Sequence, residues 1–84
     1  MTFDFQDFSI DLAKAVQVES FDEADYYGII FKMADLKFRF QIIHNRLMGY
    51  RIYIYDDNGH LQDIPFHKGT MGFLPDGIKI TWRA

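Results

Sequence analysis

The sequence predicts an α+β fold, one N-terminal helix packed on a four- to five-stranded antiparallel sheet, with an all-β meander or small barrel as the alternative. Three observations carry that expectation. From residue 27 onward apolar side chains recur at every second position, turn signals separate those runs, and an earlier stretch, "SIDLAKAVQVES", places Leu12, Ala15, Val16 and Glu19 at helical spacing.

In that stretch Ser9 is placed as an N-cap and Asp11 in the first turn, which favours a helix over residues 9–20. The competing reading takes Val16 and Val18 as an alternating strand. Next, "YGIIFKM" (27–33) sets Tyr27, Ile29, Phe31 and Met33 on one face and Gly28, Ile30 and Lys32 on the other. "LKFRFQII" (36–43) turns Leu36, Phe38, Phe40 and Ile42 inward, with Ala34 and Asp35 as a tight hairpin between the two strands. A third strand covers residues 50–55, with Tyr50, Ile52 and Ile54 inward. "DDNG" (56–59) is a turn, and a fourth strand covers 60–64 until Pro65 stops the ladder or marks an edge. After the "PDG" turn, "IKITW" sends Ile78, Ile80 and Trp82 inward and Lys79, Thr81 and Arg83 outward. Short connections favour an antiparallel meander, since parallel strands would need crossovers.

No repeat, linker or low-complexity run interrupts the chain, so residues 1–84 are expected to form one compact domain. A chain this short buries little more than ~60% of its unfolded surface, and without cysteine it has no disulfide to help. Nine Phe, five Tyr and one Trp are the means of building a core. No segment approaches the ~20 apolar residues of a membrane span, and "MTFDFQDFSIDL" is acidic where a secretory leader is basic. A cytoplasmic setting follows as the expectation.

The net charge of −3 conceals an asymmetry: residues 1–25 hold seven acids against Lys14, whereas residues 26–84 hold eight bases against five acids. Two candidate surfaces result. The acidic stretch, Glu19, Phe21, Asp22, Glu23, Asp25 and Tyr26, combines carboxylates with aromatic anchors suited to a basic protein surface. The polar phase of the strands collects Lys37, Arg39, Arg51, Lys79 and Arg83 with Tyr53 and Tyr55, a combination that binds single-stranded nucleic acid by charge and stacking. An isoelectric point near 5.4 weighs against the second, because dedicated nucleic-acid binders are usually basic.

Catalytic and metal signatures are weak. The only serines, Ser9 and Ser20, lie in no nucleophile elbow, and aligning Gly59 with the calcium-loop glycine puts Ile54 and Pro65 at ligand positions. His60, Asp63 and His67 have ligand chemistry, but strand alternation and Pro65 separate them, and His44 reads as a turn residue. "HKGTMG" lacks the order of a phosphate loop. No cofactor or metal is expected. Elimination leaves a non-enzymatic protein-binding domain, an inhibitor or modulator occluding a surface of a larger protein or nucleoprotein partner, of the kind phage and mobile elements encode. Nucleic-acid binding and self-association, as a homodimer for instance, are the alternatives.

Overall fold

The computed structural model describes residues 1–83 as two antiparallel sheets enclosing one core, with no α-helix among them. The smaller sheet contains β1 (Thr2–Asp4), β2 (Phe8–Asp11) and β8 (Lys79–Trp82), in the order β1-β2-β8. The larger is a meander of β3 (Ala15–Asp22), β4 (Tyr26–Met33), β5 (Arg39–Asn45), β6 (Gly49–Tyr55) and β7 (Leu61–Pro65). A 3-10 helix, Lys68–Phe73, carries the chain from one sheet to the other. No helix of the described residues is long and apolar enough to cross a membrane.

The expected N-terminal helix is therefore replaced by β2, a turn and β3, which is the all-β alternative. Two physical reasons decide it. Phe8, Ile10 and Leu12 alternate and are all essentially fully buried, a pattern only an extended chain can present to one side. Val16, which the helical spacing would turn inward, is 40% exposed, while Val18 packs on the core because a bulge between Val16 and Glu19 resets the alternation. That bulge places Gln17 at φ 54°, a left-handed conformation unusual for a side-chain-bearing residue.

Two further expectations change. The strand foreseen at 36–43 begins only at Arg39. The Leu36 amide instead donates to the Met33 carbonyl (3.2 Å), and Phe38, expected inward, is 43% exposed. The C-terminal strand has the expected facing, with Ile80 and Trp82 on the core, yet it pairs with β2 in the smaller sheet.

Core packing joins the layers through rings. Phe8 of β2 lies 5.1 Å from Tyr50 of β6, and Phe5 lies 5.6 Å from Tyr27 of β4. The Tyr27 and Tyr50 hydroxyls accept hydrogen bonds from the Gln6 and Asp7 amides (2.9 and 3.1 Å), so the β1–β2 turn finds its partners on the opposite sheet. Burial pushes the Tyr50 phenol from its ordinary value near 10 up to about 12, with the bond from the Asp7 amide working against it. On the face turned away from the core, Gly28 of β4 pairs with Ile43 of β5, and a Cβ at position 28 would collide with the Ile42 carbonyl oxygen and stand 3.0 Å from the Ile43 Cα.

Gly28→Ala should consequently cost about 2–3 kcal/mol, because backbone rather than a flexible side chain must yield; a denaturant midpoint equal to that of the parent would refute the close approach. Tyr50 supplies a pH test. Its folded-state pKa is raised, so its contribution is complete below pH 10 and is lost as pH climbs toward 12. Tyr50→Phe, lacking the acceptor for the Asp7 amide, should be about 1 kcal/mol less stable at neutral pH. That gap should narrow across this alkaline window, as read from urea unfolding at stepped pH.

Candidate functional site

Two turns lie side by side at one end of the larger sheet: residues 23–25 between β3 and β4, and residues 46–48 between β5 and β6. The Arg46 amide donates to the Asp25 carbonyl (3.1 Å), tying them together. Asn45 begins the second turn, and its Oδ1 accepts from the Leu47 and Met48 amides at 2.9 and 3.1 Å. Gly49, at φ 79°, ends it in a conformation that suits glycine. The result is a fixed loop that holds Leu47 93% and Met48 60% exposed.

Beside this tip stand Phe21 and Tyr26, whose rings are 5.9 Å apart. Asp22, Glu23 and Asp25 are exposed around them and enter no ion pair among the described residues. The acidic stretch read from the sequence is thus a hairpin end, with aromatic and aliphatic side chains inside a carboxylate rim. Glu19 lies further along β3, opposite Ile30, and belongs to the sheet face rather than to this end.

The basic face expected from strand alternation is divided. Lys79 and Arg83 belong to the smaller sheet's side of the molecule, where Lys79 pairs in register with Asp11 and Arg83 contacts Asp4 at 3.1 Å. The larger sheet keeps Arg51, Tyr53 and Tyr55 on β6, Arg39 on β5 and Lys37 in the β4–β5 loop. Arg51 is engaged by Asp63 across the β6–β7 pair at 2.8 Å, and that carboxylate raises the guanidinium pKa further. Lys32, Lys37, Arg39 and Tyr55 line a shallow hollow of about 370 Å³ on this outer face.

A second, apolar cleft of about 330 Å³ opens at the end opposite the Leu47 tip, between Phe38, Phe40, Ile54, Phe73 and Leu74. Asp56 and His60 stand at its polar side. The His60 and Asn58 amides and the His60 ring hold the Asp56 carboxyl below the usual carboxylate range.

The histidines are dispersed. His60 meets Asp56 at 3.1 Å, and His67 caps the 3-10 helix by accepting from the Gly69 amide. His44 lies within β5 rather than in a turn, stacked 4.2 Å from Tyr50, with its buried Nδ1 unpartnered among the described residues. No three His, Asp or Glu side chains gather as metal ligands among the described residues.

Leu47 and Met48 are the functional candidates that sequence reasoning missed. The available signal was "NRLMG", two large apolar residues enclosed between an Asx-turn former and a glycine, where no strand could carry them into a core. Comparison of the chain with protein-family models, curated proteins and solved structures finds no match.

Asn45→Ala removes the acceptor that fixes the tip, and should cost about 1 kcal/mol while speeding hydrogen exchange at the Leu47 and Met48 amides. Unchanged exchange would mean that the turn is held by other contacts.

Proposed function

We propose that this chain is a small non-enzymatic protein-binding domain that masks a surface of a larger partner, as an inhibitor or modulator does. One observation carries the proposal: Leu47 and Met48 project almost fully exposed from a loop whose amides are already fixed by Asn45. A pre-ordered loop loses little conformational entropy when its apolar side chains enter a partner's pocket. Around that tip, Phe21 and Tyr26 supply aromatic contact area, and Asp22, Glu23 and Asp25 favour a partner surface rimmed by Lys and Arg. A cytoplasmic setting belongs to the same proposal.

Self-association through this end is the weaker reading, because a two-fold axis would bring the acidic rims of both copies together. Single-stranded nucleic acid is weaker too. The bases expected to form one platform are split between the two sheets, and Arg51 and Arg83 are each paired with a carboxylate.

Affinity capture with the unaltered chain should recover a partner that is lost with Leu47→Ser/Met48→Ser and weakened by charge reversal at Asp22, Glu23 and Asp25. Both variants should melt as the parent does, since surface substitutions of this kind change stability by no more than about 0.5 kcal/mol. Loss of two anchors should weaken binding by about 2 kcal/mol or more. An identical set of captured proteins for all three chains would remove this reading.

A further inference from the structure

We propose that the outer face of the larger sheet binds a phosphate-like dianion on a small molecule, held by Lys32, Lys37 and Arg39. These residues cluster where the β4–β5 loop lies, at the end away from Leu47, so the site is separate from the proposed protein-binding surface. Lys32 and Arg39 are directly opposite one another in the β4–β5 register, and Lys37 comes from the loop that joins those strands. Side chains paired in this way stand about 5 Å apart at Cβ, and like charges there destabilise the sheet. Arg39 and Lys37 are exposed, Lys32 is half-buried, and all three line one hollow of about 370 Å³.

What sets these cations apart is that all three share one hollow without being neutralised; Lys14, Arg46, Lys68 and Lys79 also lack an ion pair among the described residues, but none of them lines that hollow. Among the described residues no carboxylate lies within ion-pair distance of Lys32, Lys37 or Arg39 and none of the three donates a side-chain hydrogen bond, whereas Arg51 and Arg83 each have an acidic partner. On the β6 side the floor is neutral: Tyr55, opposite Arg39, donates its hydroxyl to Gln41 Oε1 at 3.1 Å, leaving the Gln41 amide group to donate to a ligand, while on the β3 side Glu19 lines an adjoining hollow with Ile30 and Arg39 without forming an ion pair. Two carboxylates do reach the rim. Asp56 is engaged by the turn amides and His60, while Asp57 makes no contact of that kind and opposes an incoming anion.

Donors arriving from two strands and a loop suit a tetrahedral dianion better than a planar carboxylate. Arg39 can offer a fork to two oxygens, and the lysines can meet the remaining ones as point charges. The ring of Tyr55 and the side chain of Ile30 border the hollow and give a small organic body apolar surface to rest on. A site of this kind keeps local charge repulsion in the free protein that its ligand relieves, which sets an opposite expectation for stability and for binding.

The test is a titration of the intact chain with inorganic phosphate, glycerol 3-phosphate and a single-stranded oligodeoxynucleotide at constant ionic strength in chloride, followed by melting temperature and by amide shifts. The expected result is stabilisation by the two small phosphates but not by chloride, with saturable shifts centred on Lys32, Lys37 and Arg39. Arg39→Gln should melt higher than the parent without phosphate and should weaken phosphate binding by at least about tenfold. Asp57→Asn should tighten it by about two- to fivefold. Equal effects of chloride and phosphate, or an Arg39→Gln variant that is destabilised yet keeps its phosphate response, would overturn the proposal. Shifts saturated by the oligonucleotide but not by glycerol 3-phosphate would also overturn it, since the hollow would then serve a phosphodiester chain.

Discussion

Phe8 is fully buried, and its ring lies against Phe5 and Trp82 at 4.8 Å, Tyr50 at 5.1 Å and Phe66 at 5.4 Å. Those neighbours come from both sheets and from the chain passing between them, so one side chain couples every layer. The constraint behind this arrangement is size. Eighty-four residues without a disulfide must close two sheets on side-chain volume alone, and aromatic rings bury the most area for each residue spent. The β1–β2 turn depends on the same cluster, because the tyrosines that pack beside Phe5 and Phe8 also accept its amides.

With the layers joined there, the open sheet edges need separate protection, and each is blunted differently. β3 carries the Gln17 bulge, β7 ends in Pro65, and β1 is only three residues long. β8 is short and alternates Lys79 and Thr81 outward. The surface features with functional potential lie elsewhere, on turns and on the outer sheet face. There the sequence tolerates what stability alone would remove: an exposed Leu-Met tip at one end and a like-charged cross-strand pair at the other.

Much of the larger sheet was legible because period-two alternation is a local property. Ile29, Phe31, Phe40, Ile42 and Ile52 fall inside as their spacing requires, and "DDNG" turns where its Asp and Gly direct. Residues 9–20 misled because Leu12, Ala15 and Val16 fit a helical template over a single turn, while the alternation of Phe8, Ile10 and Leu12 has meaning only once a second sheet exists to receive it. The acidic hairpin was likewise visible as composition. Its neighbour Leu47 was not, since the two turns meet through a backbone bond between Arg46 and Asp25, a contact that no residue type announces.

The sequence by itself determined the inward and outward phase of β4, β6, β8 and the part of β5 from Arg39 onward, the turns at 56–59 and 75–77 and the charge asymmetry, all of which depend on residue type and near neighbours. Only the tertiary structure decided which strands share a sheet. Lys79, Thr81 and Arg83 keep their outward phase in either assignment, yet pairing β8 with β2 rather than with the meander removes them from the face that Lys32, Arg39 and Tyr55 occupy. Strand partnership is a choice among distant segments of similar pattern. It is settled by how the large rings of Phe8, Phe66 and Trp82 fill the space between layers, and volume of that kind is a property of the folded whole.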